Sequence, residues 1–252
     1  MRAVILDLDG VVYRAMSPVP GAADALRRLT ESGTPVRFVT NNSTKTPEQV
    51  AAKIRQLTGV EVDPHTVLTS AMAAVSLLSP EDGPVMVVGE AGIDEAVAGV
   101  GFATTAHPDE TRTVMVGLDR DFDYPRLARA AQAIRGGARF IASNSDPTYP
   151  TNSGLVPGAG AMVAAIAAAA GQEPEVAGKP HPAMRRLVRD SGVGSAWVIG
   201  DRMDTDVAMA RAEEDWESIL VMTGVTEAGE GTSFADHVVA DLSAAVDLVL
   251  GG

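Results

Sequence analysis

Asp7 and Asp9 stand two residues apart where a short apolar run, Ala3-Val4-Ile5-Leu6, comes to an end. Side chains alternate along an extended chain, so the two carboxylates tend to leave on the same side, about 6 to 7 Å apart by strand rise. Gly10 has no Cβ, which lets the chain turn sharply or lets a ligand approach the backbone. A second carboxylate follows a second apolar run. Asp201 comes directly after Ala196-Trp197-Val198-Ile199-Gly200, and Asp206 lies five residues further on. Thr40-Asn41-Asn42 follows the run Val36 to Val39 and presents a hydroxyl and several backbone donors. That set suits a phosphate oxygen, and it equally suits an Asx or Ser/Thr turn. Lys179 is one of three lysines and stands in Gly178-Lys179-Pro180-His181-Pro182. Pro180 keeps it out of helical geometry and can itself open the next helix.

Taken singly, each group has a plain structural explanation. Asp7 and Asp9 can be turn-favouring acids, Lys179 a solvated surface lysine, and Asp206 the acid that a helix dipole favours in its first turn. Other signals fail on inspection. Val11 stands where a calcium loop starting at Asp7 needs a third Asp or Asn. Asp119, Asp121 and Asp123 have calcium-loop spacing, but Tyr124 occupies the glycine position and Ala130 that of the closing glutamate, so a strand-to-helix turn is expected. Gly158-Ala159-Gly160 hints at a dinucleotide fingerprint, but position 163 is Val and no strand is expected before it, so a helix start is expected. His65, His107, His181 and His237 are scattered and read as structural.

The elements that must position these groups read as an α/β chain. Ala3 to Leu6 is a strand buried on both faces, as in a parallel sheet. The spacing of Ala22, Ala25, Leu26 and Leu29 predicts a helix over 20–31, stopped by Gly33. Pro47 opens another helix, to Leu57, with Thr46 as its cap. From about Thr69 a new run of strands (85–88, 113–118, 139–142) alternates with helices (90–98, 124–135, 158–170). After a helix over 182–190 the first sheet resumes at Ala196, with further apolar segments at 218–222 and 237–240 and a closing helix after Ser243. A core in two pieces, 1–69 and 177–252, with an inserted α/β module over 70–176, is the expected organisation.

The chain has 252 residues, 46% of them hydrophobic, which is enough for one large core or two smaller ones. It contains no cysteine, so disulfides, zinc thiolates and thiol nucleophiles are excluded. The net charge of −13, from 20 basic and 33 acidic residues, argues against nucleic acid and anionic membranes as partners. The residues between Met1 and Asp7 are too few for a signal peptide, and the run Ala159 to Ala170 is too short to span a bilayer. A soluble cytoplasmic protein is expected.

Taken together, Asp7-Leu8-Asp9-Gly10, Thr40-Asn41-Asn42, Lys179-Pro180 and Gly200-Asp201 with Asp206 resemble the four ordered motifs of the haloacid dehalogenase superfamily of phosphatases. The similarity extends through Val88-Gly89-Glu90, Gly117-Leu118-Asp119-Arg120, Phe140-Ile141-Ala142, Asn144, Pro157-Gly158-Ala159-Gly160-Ala161 and Thr223-Gly224-Val225. It points to the branch of nitrophenyl, phosphoglycolate, nucleotide and sugar phosphatases with a large α/β cap. The fold implied is a doubly wound, mostly parallel sheet carrying an inserted smaller α/β cap domain.

The resemblance implies a magnesium-dependent phosphomonoester hydrolase acting on small phosphorylated metabolites through an aspartyl phosphate. Asp7 would be the nucleophile, and Asp9 the general acid and then base. Mg2+ would sit between Asp7, the Asp9 carbonyl and Asp201, with Asp206 behind the ligands. Thr40, Asn41, Asn42 and Lys179 would hold the phosphoryl oxygens. A phosphotransferase or mutase with the same nucleophile, and a binding protein that has lost catalysis, are the alternatives. A homodimer is compatible with the resemblance. Two departures stand out: Ser145, where relatives often have Pro, and Glu213-Glu214-Asp215-Trp216, where a small residue and Gly usually end a helix. Asp215 is expected to take a left-handed cap there.

Overall fold

The computed structural model describes residues 2–151, 154–224, 226 and 232–251. Val225, part of one quoted motif, lies outside them. The chain begins with β1 (Ala3–Leu6), the short hairpin β2 (Tyr13–Arg14) and β3 (Ser17–Pro18), then α1 (Ala22–Glu31), β4 (Val36–Thr40), α2 (Pro47–Thr58) and β5 (Val67–Thr69). It continues through α3 (Ser70–Val75), β6 (Val85–Val88), α4 (Ala91–Gly99), β7 (Thr113–Val116), α5 (Tyr124–Arg135) and β8 (Arg139–Ala142). A hairpin of β9 (Thr148–Thr151) and β10 (Gly154–Pro157) leads into α6 (Ala159–Ala170), β11 (Glu175–Val176) and α7 (Pro182–Asp190). The last elements are β12 (Ala196–Gly200), α8 (Ala208–Arg211), β13 (Trp216–Val221), β14 (His237–Val239) and α9 (Leu242–Leu250).

Two larger sheets organise these elements, one ordered β14-β13-β12-β1-β4-β5 and the other β11-β8-β7-β6. In the first, β1 runs parallel to both neighbours, with Leu6 beside Ile199 on one side and Phe38 on the other. The chain therefore works outward from β1 in opposite directions, through β4 and β5 one way and β12 to β14 the other. Open α/β sheets bind ligands at such a reversal, outside the carboxyl ends of the strands. The second sheet is parallel throughout. Every α/β element expected from periodicity is present, and the sheets are mostly parallel as expected.

The chain divides into two compact units. One comprises Met1–Thr40, Pro47–Leu68 and Val188–Gly252, the other Asn41–Thr46 and Thr69–Leu187. The first has a core built from Val4, Leu6 and Leu8 with Leu26, Leu29, Phe38, Ile54 and Ile199. The α1 residues Ala22, Ala25, Leu26 and Leu29 are fully buried in it, which is why their spacing reads so clearly. The second unit has its own core, including Val114, Ile134, Phe140 and Ile166. Burying one such side chain stabilises by about 1.5–3 kcal/mol. Among the described residues, no helix is long and apolar enough to cross a membrane.

Two expectations are corrected. A strand does precede Gly158, but β10 is antiparallel to β9 and exposed, so no parallel strand-to-helix crossover feeds the glycines. Their role is steric: a Cβ on Gly158 would lie 2.4 Å from the Asp146 carbonyl oxygen, and one on Gly160 2.3 Å from that of Ser145. Asp215 does not adopt a left-handed conformation, since Ala15 is the one described non-glycine residue with positive φ. Helix α8 ends at Arg211, and Asp215 instead pairs with the Arg189 guanidinium, which also holds Glu213 at 2.7 Å. As expected, β1 stops at Leu6; Asp9 forms an isolated bridge with Tyr13, and the turn between them is closed by the Gly10 amide donating to the Tyr13 carbonyl at 2.8 Å.

Candidate active site

The unit with the six-stranded sheet assembles three carboxylates. Asp7 follows β1 and Asp201 follows β12, so two adjacent parallel strands deliver both to one edge. Asp206 joins them from the turn after Asp201. One oxygen from each of Asp7, Asp201 and Asp206 lies within 4.8 Å of the other two, and all three residues are buried, at 8%, 1% and 2% exposure. Thr40, 2% exposed, ends β4 on the other flank of β1. Asp9 contributes no carboxylate to the group.

Asp206 is the residue that sequence undervalues. Residues Met203–Val207 form a π-helical turn, in which the Val207 amide donates to the Arg202 carbonyl five residues back at 3.2 Å. Such turns carry an extra residue and recur at functional sites. Gly200 makes room for the inward carboxylate, since a Cβ there would lie 2.2 Å from Asp206 Cγ. Gly10, at φ +87°, does the same for Asp201, whose Oδ2 would lie 2.5 Å from an added Cβ. Asp206 also accepts from the Arg202 amide at 3.2 Å. Asp206 thus stands in the first turn of a helical segment, where a helix dipole favours an acid, and also converges with Asp7 and Asp201.

Three like charges so close repel one another, by about 4 kcal/mol for each pair at 4 Å and an effective dielectric of about 20. A hard divalent cation is the partner an all-oxygen carboxylate set fits, with water completing its coordination. The donor set therefore fits magnesium.

The other unit holds the remaining candidates. Asn41 and Lys179 face each other across 138 residues of chain: the Lys179 amide donates to Asn41 Oδ1 at 2.7 Å, and Asn41 Nδ2 donates to the Lys179 carbonyl at 3.2 Å. Nδ2 also lies 3.3 Å from both carboxylate oxygens of Asp146. The Asn41 side chain is thus committed to holding Lys179. Gly178 allows the approach, because a Cβ there would lie 2.6 Å from Asn41 Oδ1. Lys179 itself is 5% exposed, far from the solvated lysine that its sequence context also allowed. Asn42 makes an Asx turn, its Oδ1 accepting from the Thr44 amide and hydroxyl at 2.9 and 2.7 Å.

The same unit anchors the whole 41–46 loop. The Asn41 carbonyl accepts from Ser70 Oγ at 2.6 Å and Asn144 Nδ2 at 2.7 Å, and the Thr44 carbonyl from the Gly92 amide at 3.2 Å. Beside Lys179, burial together with the Arg185 guanidinium pushes the His181 imidazole below its usual range. The aspartates 119, 121 and 123 form the expected strand-to-helix turn: Asp119 accepts from the Asp121 amide and pairs with Arg126, and Asp123 caps α5 through the Arg126 amide at 2.8 Å.

Two family models match the chain. One, described as haloacid dehalogenase-like hydrolase, matches residues 4–103, and the other, described as HAD-hydrolase-like, matches residues 176–245. The D-glycerol 3-phosphate phosphatase of Mycobacterium tuberculosis is 40% identical over 230 residues, covering 89% of this chain and 64% of the relative's own length. An acid sugar phosphatase of Staphylococcus haemolyticus is 35% identical over 230 residues, covering 89% of this chain and 86% of that one. The crystal structure of a Mycobacterium tuberculosis glycerol phosphate phosphatase in complex with magnesium superposes with a TM-score of 0.84 at 37% identity, covering 95% of this chain and 74% of that chain.

Proposed function

Because the chain belongs to the haloacid dehalogenase-like hydrolases, we propose that it is a magnesium-dependent phosphomonoester hydrolase of small phosphorylated metabolites. Sugar and glycerol phosphates are its first candidate substrates, by likeness to the named relatives. The observation that carries the reading is the buried convergence of Asp7, Asp201 and Asp206 at the ends of adjacent parallel strands. Asp7, Asp201 and the Asp9 carbonyl would hold magnesium, with Asp206 beside or behind them. When bound, magnesium offsets the repulsion between a carboxylate nucleophile and a phosphate dianion.

The chain's own residues then divide the work. An Asp7 oxygen attacks phosphorus, the bond from phosphorus to the leaving oxygen breaks, and the Asp9 carboxyl gives that oxygen its proton. The alcohol departs and an aspartyl phosphate remains. Water next attacks phosphorus, Asp9 takes its proton, and the bond to Asp7 breaks, releasing inorganic phosphate and restoring both carboxyl groups. The Thr40 hydroxyl, the Asn41 and Asn42 amides and the Lys179 ammonium take the phosphoryl oxygens, where charge builds in the transition state. The Asn41 side chain fixes Lys179 for that task. The enzyme is proposed to be cytoplasmic, and its net charge of −13 disfavours nucleic-acid partners.

The test is phosphate release from p-nitrophenyl phosphate, glycerol 3-phosphate and a panel of sugar phosphates, with and without Mg2+. Turnover that needs Mg2+ and disappears in Asp7→Asn is expected. Equal rates in Asp7→Asn and the wild type would overturn the mechanism.

A further inference from the structure

After β13 the chain makes a series of contacts that the chemistry above does not use. Thr223 Oγ1 donates to the Gly10 carbonyl at 2.7 Å, in the turn that follows Asp9. The Thr223 carbonyl in turn accepts from the Arg14 guanidinium, through Nε at 2.6 Å and through Nη2, so the segment is tied to β2 as well. Thr226 Oγ1 donates to the Asp201 carbonyl at 2.6 Å. Gly224 lies between the two threonines, and a Cβ added there would lie 1.6 Å from Asp201 Oδ2 and 2.2 Å from its Cγ. No other described glycine has an added-Cβ distance as short. The Asp201 carboxylate fills the space that any side chain at 224 would need.

We propose that Thr223, Gly224 and Thr226 form a positioning strap that sets the Asp201 carboxylate for the divalent cation and holds the turn that follows Asp9. The inference rests on the reading that Asp7, Asp201 and Asp206 bind magnesium. Its physical basis is the repulsion within that trio. Asp201 is pushed by two like charges and could relieve the strain by turning its carboxylate away or by shifting its backbone. The Gly224 backbone walls off the first escape, and the Thr226 hydroxyl restrains the second. Thr223 acts at a different point, on the Gly10 peptide, and so bears on the proton donor Asp9 rather than on the metal ligand. The strap therefore has two separable effects, one on metal affinity and one on turnover.

The experiment uses the full chain as wild type, Gly224→Ala, Thr226→Val, Thr226→Ser and Thr223→Val. Mg2+ affinity is measured by calorimetric titration, and kcat and KM with p-nitrophenyl phosphate at saturating Mg2+. Gly224→Ala and Thr226→Val are expected to weaken Mg2+ binding by about 10- to 100-fold, the range for groups that orient a metal ligand. Thr226→Ser, which keeps the hydroxyl, restores the affinity. Thr223→Val lowers kcat while leaving Mg2+ affinity as in the wild type. Should Gly224→Ala fail to fold, the Thr226 pair decides the question alone. Wild-type protein that binds Mg2+ alongside variants that bind it equally well would overturn the strap. Wild-type protein that binds no Mg2+ would overturn the metal-site reading itself.

Discussion

The carboxylate trio and the Asn41–Lys179 pair are held in opposite ways. Asp7, Asp201 and Asp206 converge because strand ends and missing side chains leave them the space, and their like charges oppose the arrangement. Asn41 and Lys179 converge because the donor of each meets the acceptor of the other. The acidic group presents an all-oxygen set that suits a cation, whereas the amide pair is joined by hydrogen bonds between its own two members. Removing a member should therefore have opposite consequences in the two places.

The sharpest way to break this contrast is Asp7→Asn. Turnover should fall by about 10⁴-fold or more, as when a nucleophile is removed, while the metal-free protein melts higher than the wild type because one of three buried charges is gone. Chelation should lower the melting temperature of the wild type, whose stabilisation by Mg2+ at 100 times its Kd is about 2.7 kcal/mol, and should leave Asp7→Asn nearly unmoved. A metal-free Asp7→Asn that melts lower than the wild type would remove the idea of a strained trio.

Asn41→Ala should do the reverse. It strips partners from the buried amide and carbonyl of Lys179, at a cost of about 2–4 kcal/mol measured by denaturant unfolding. KM should rise, and the response to chelation should match the wild type. An altered chelation response would show that the two groups are not energetically separate.

A smaller effect comes from His181 beside that pair. Its folded pKa lies below the usual value of about 6.5, first through burial and then through Arg185. A histidine kept neutral by the fold gives its full stability above about pH 6.5 and loses it as pH falls and the ring must protonate. The acid-side decline in melting temperature should flatten in His181→Gln. An unchanged profile would place the titration elsewhere.

Sequence exposed the parts of this molecule whose signals are local. The apolar runs before Asp7 and Asp201 are legible because strands buried on both faces need no alternation, and α1 because its buried stripe repeats at helical spacing. Asp206 was obscured because a π-turn adds a residue that no helical pattern anticipates. The Asn41 side chain could not be assigned, since its partners are 105 and 138 residues away. The β2–β3 hairpin is two residues per strand, and β9–β10 ends at Pro157, so neither shows a clear period. The left-handed cap expected at Asp215 failed because a distant arginine, not local backbone preference, governs that stretch.

The hexapeptide 41–46 lies in sequence between two segments of one unit and packs as part of the other. Excising residues 70–176 to obtain a minimal core would remove Ser70, Gly92, Ser143 and Asn144, which grip this hexapeptide at Asn41, Ser43 and Thr44. The Asn41 and Thr44 carbonyls and the Ser43 hydroxyl would each lose partners to a deletion that never touches them. Residues 70–176 are thus tied to the hexapeptide, and a trimmed chain that lost activity would report the loss of those contacts.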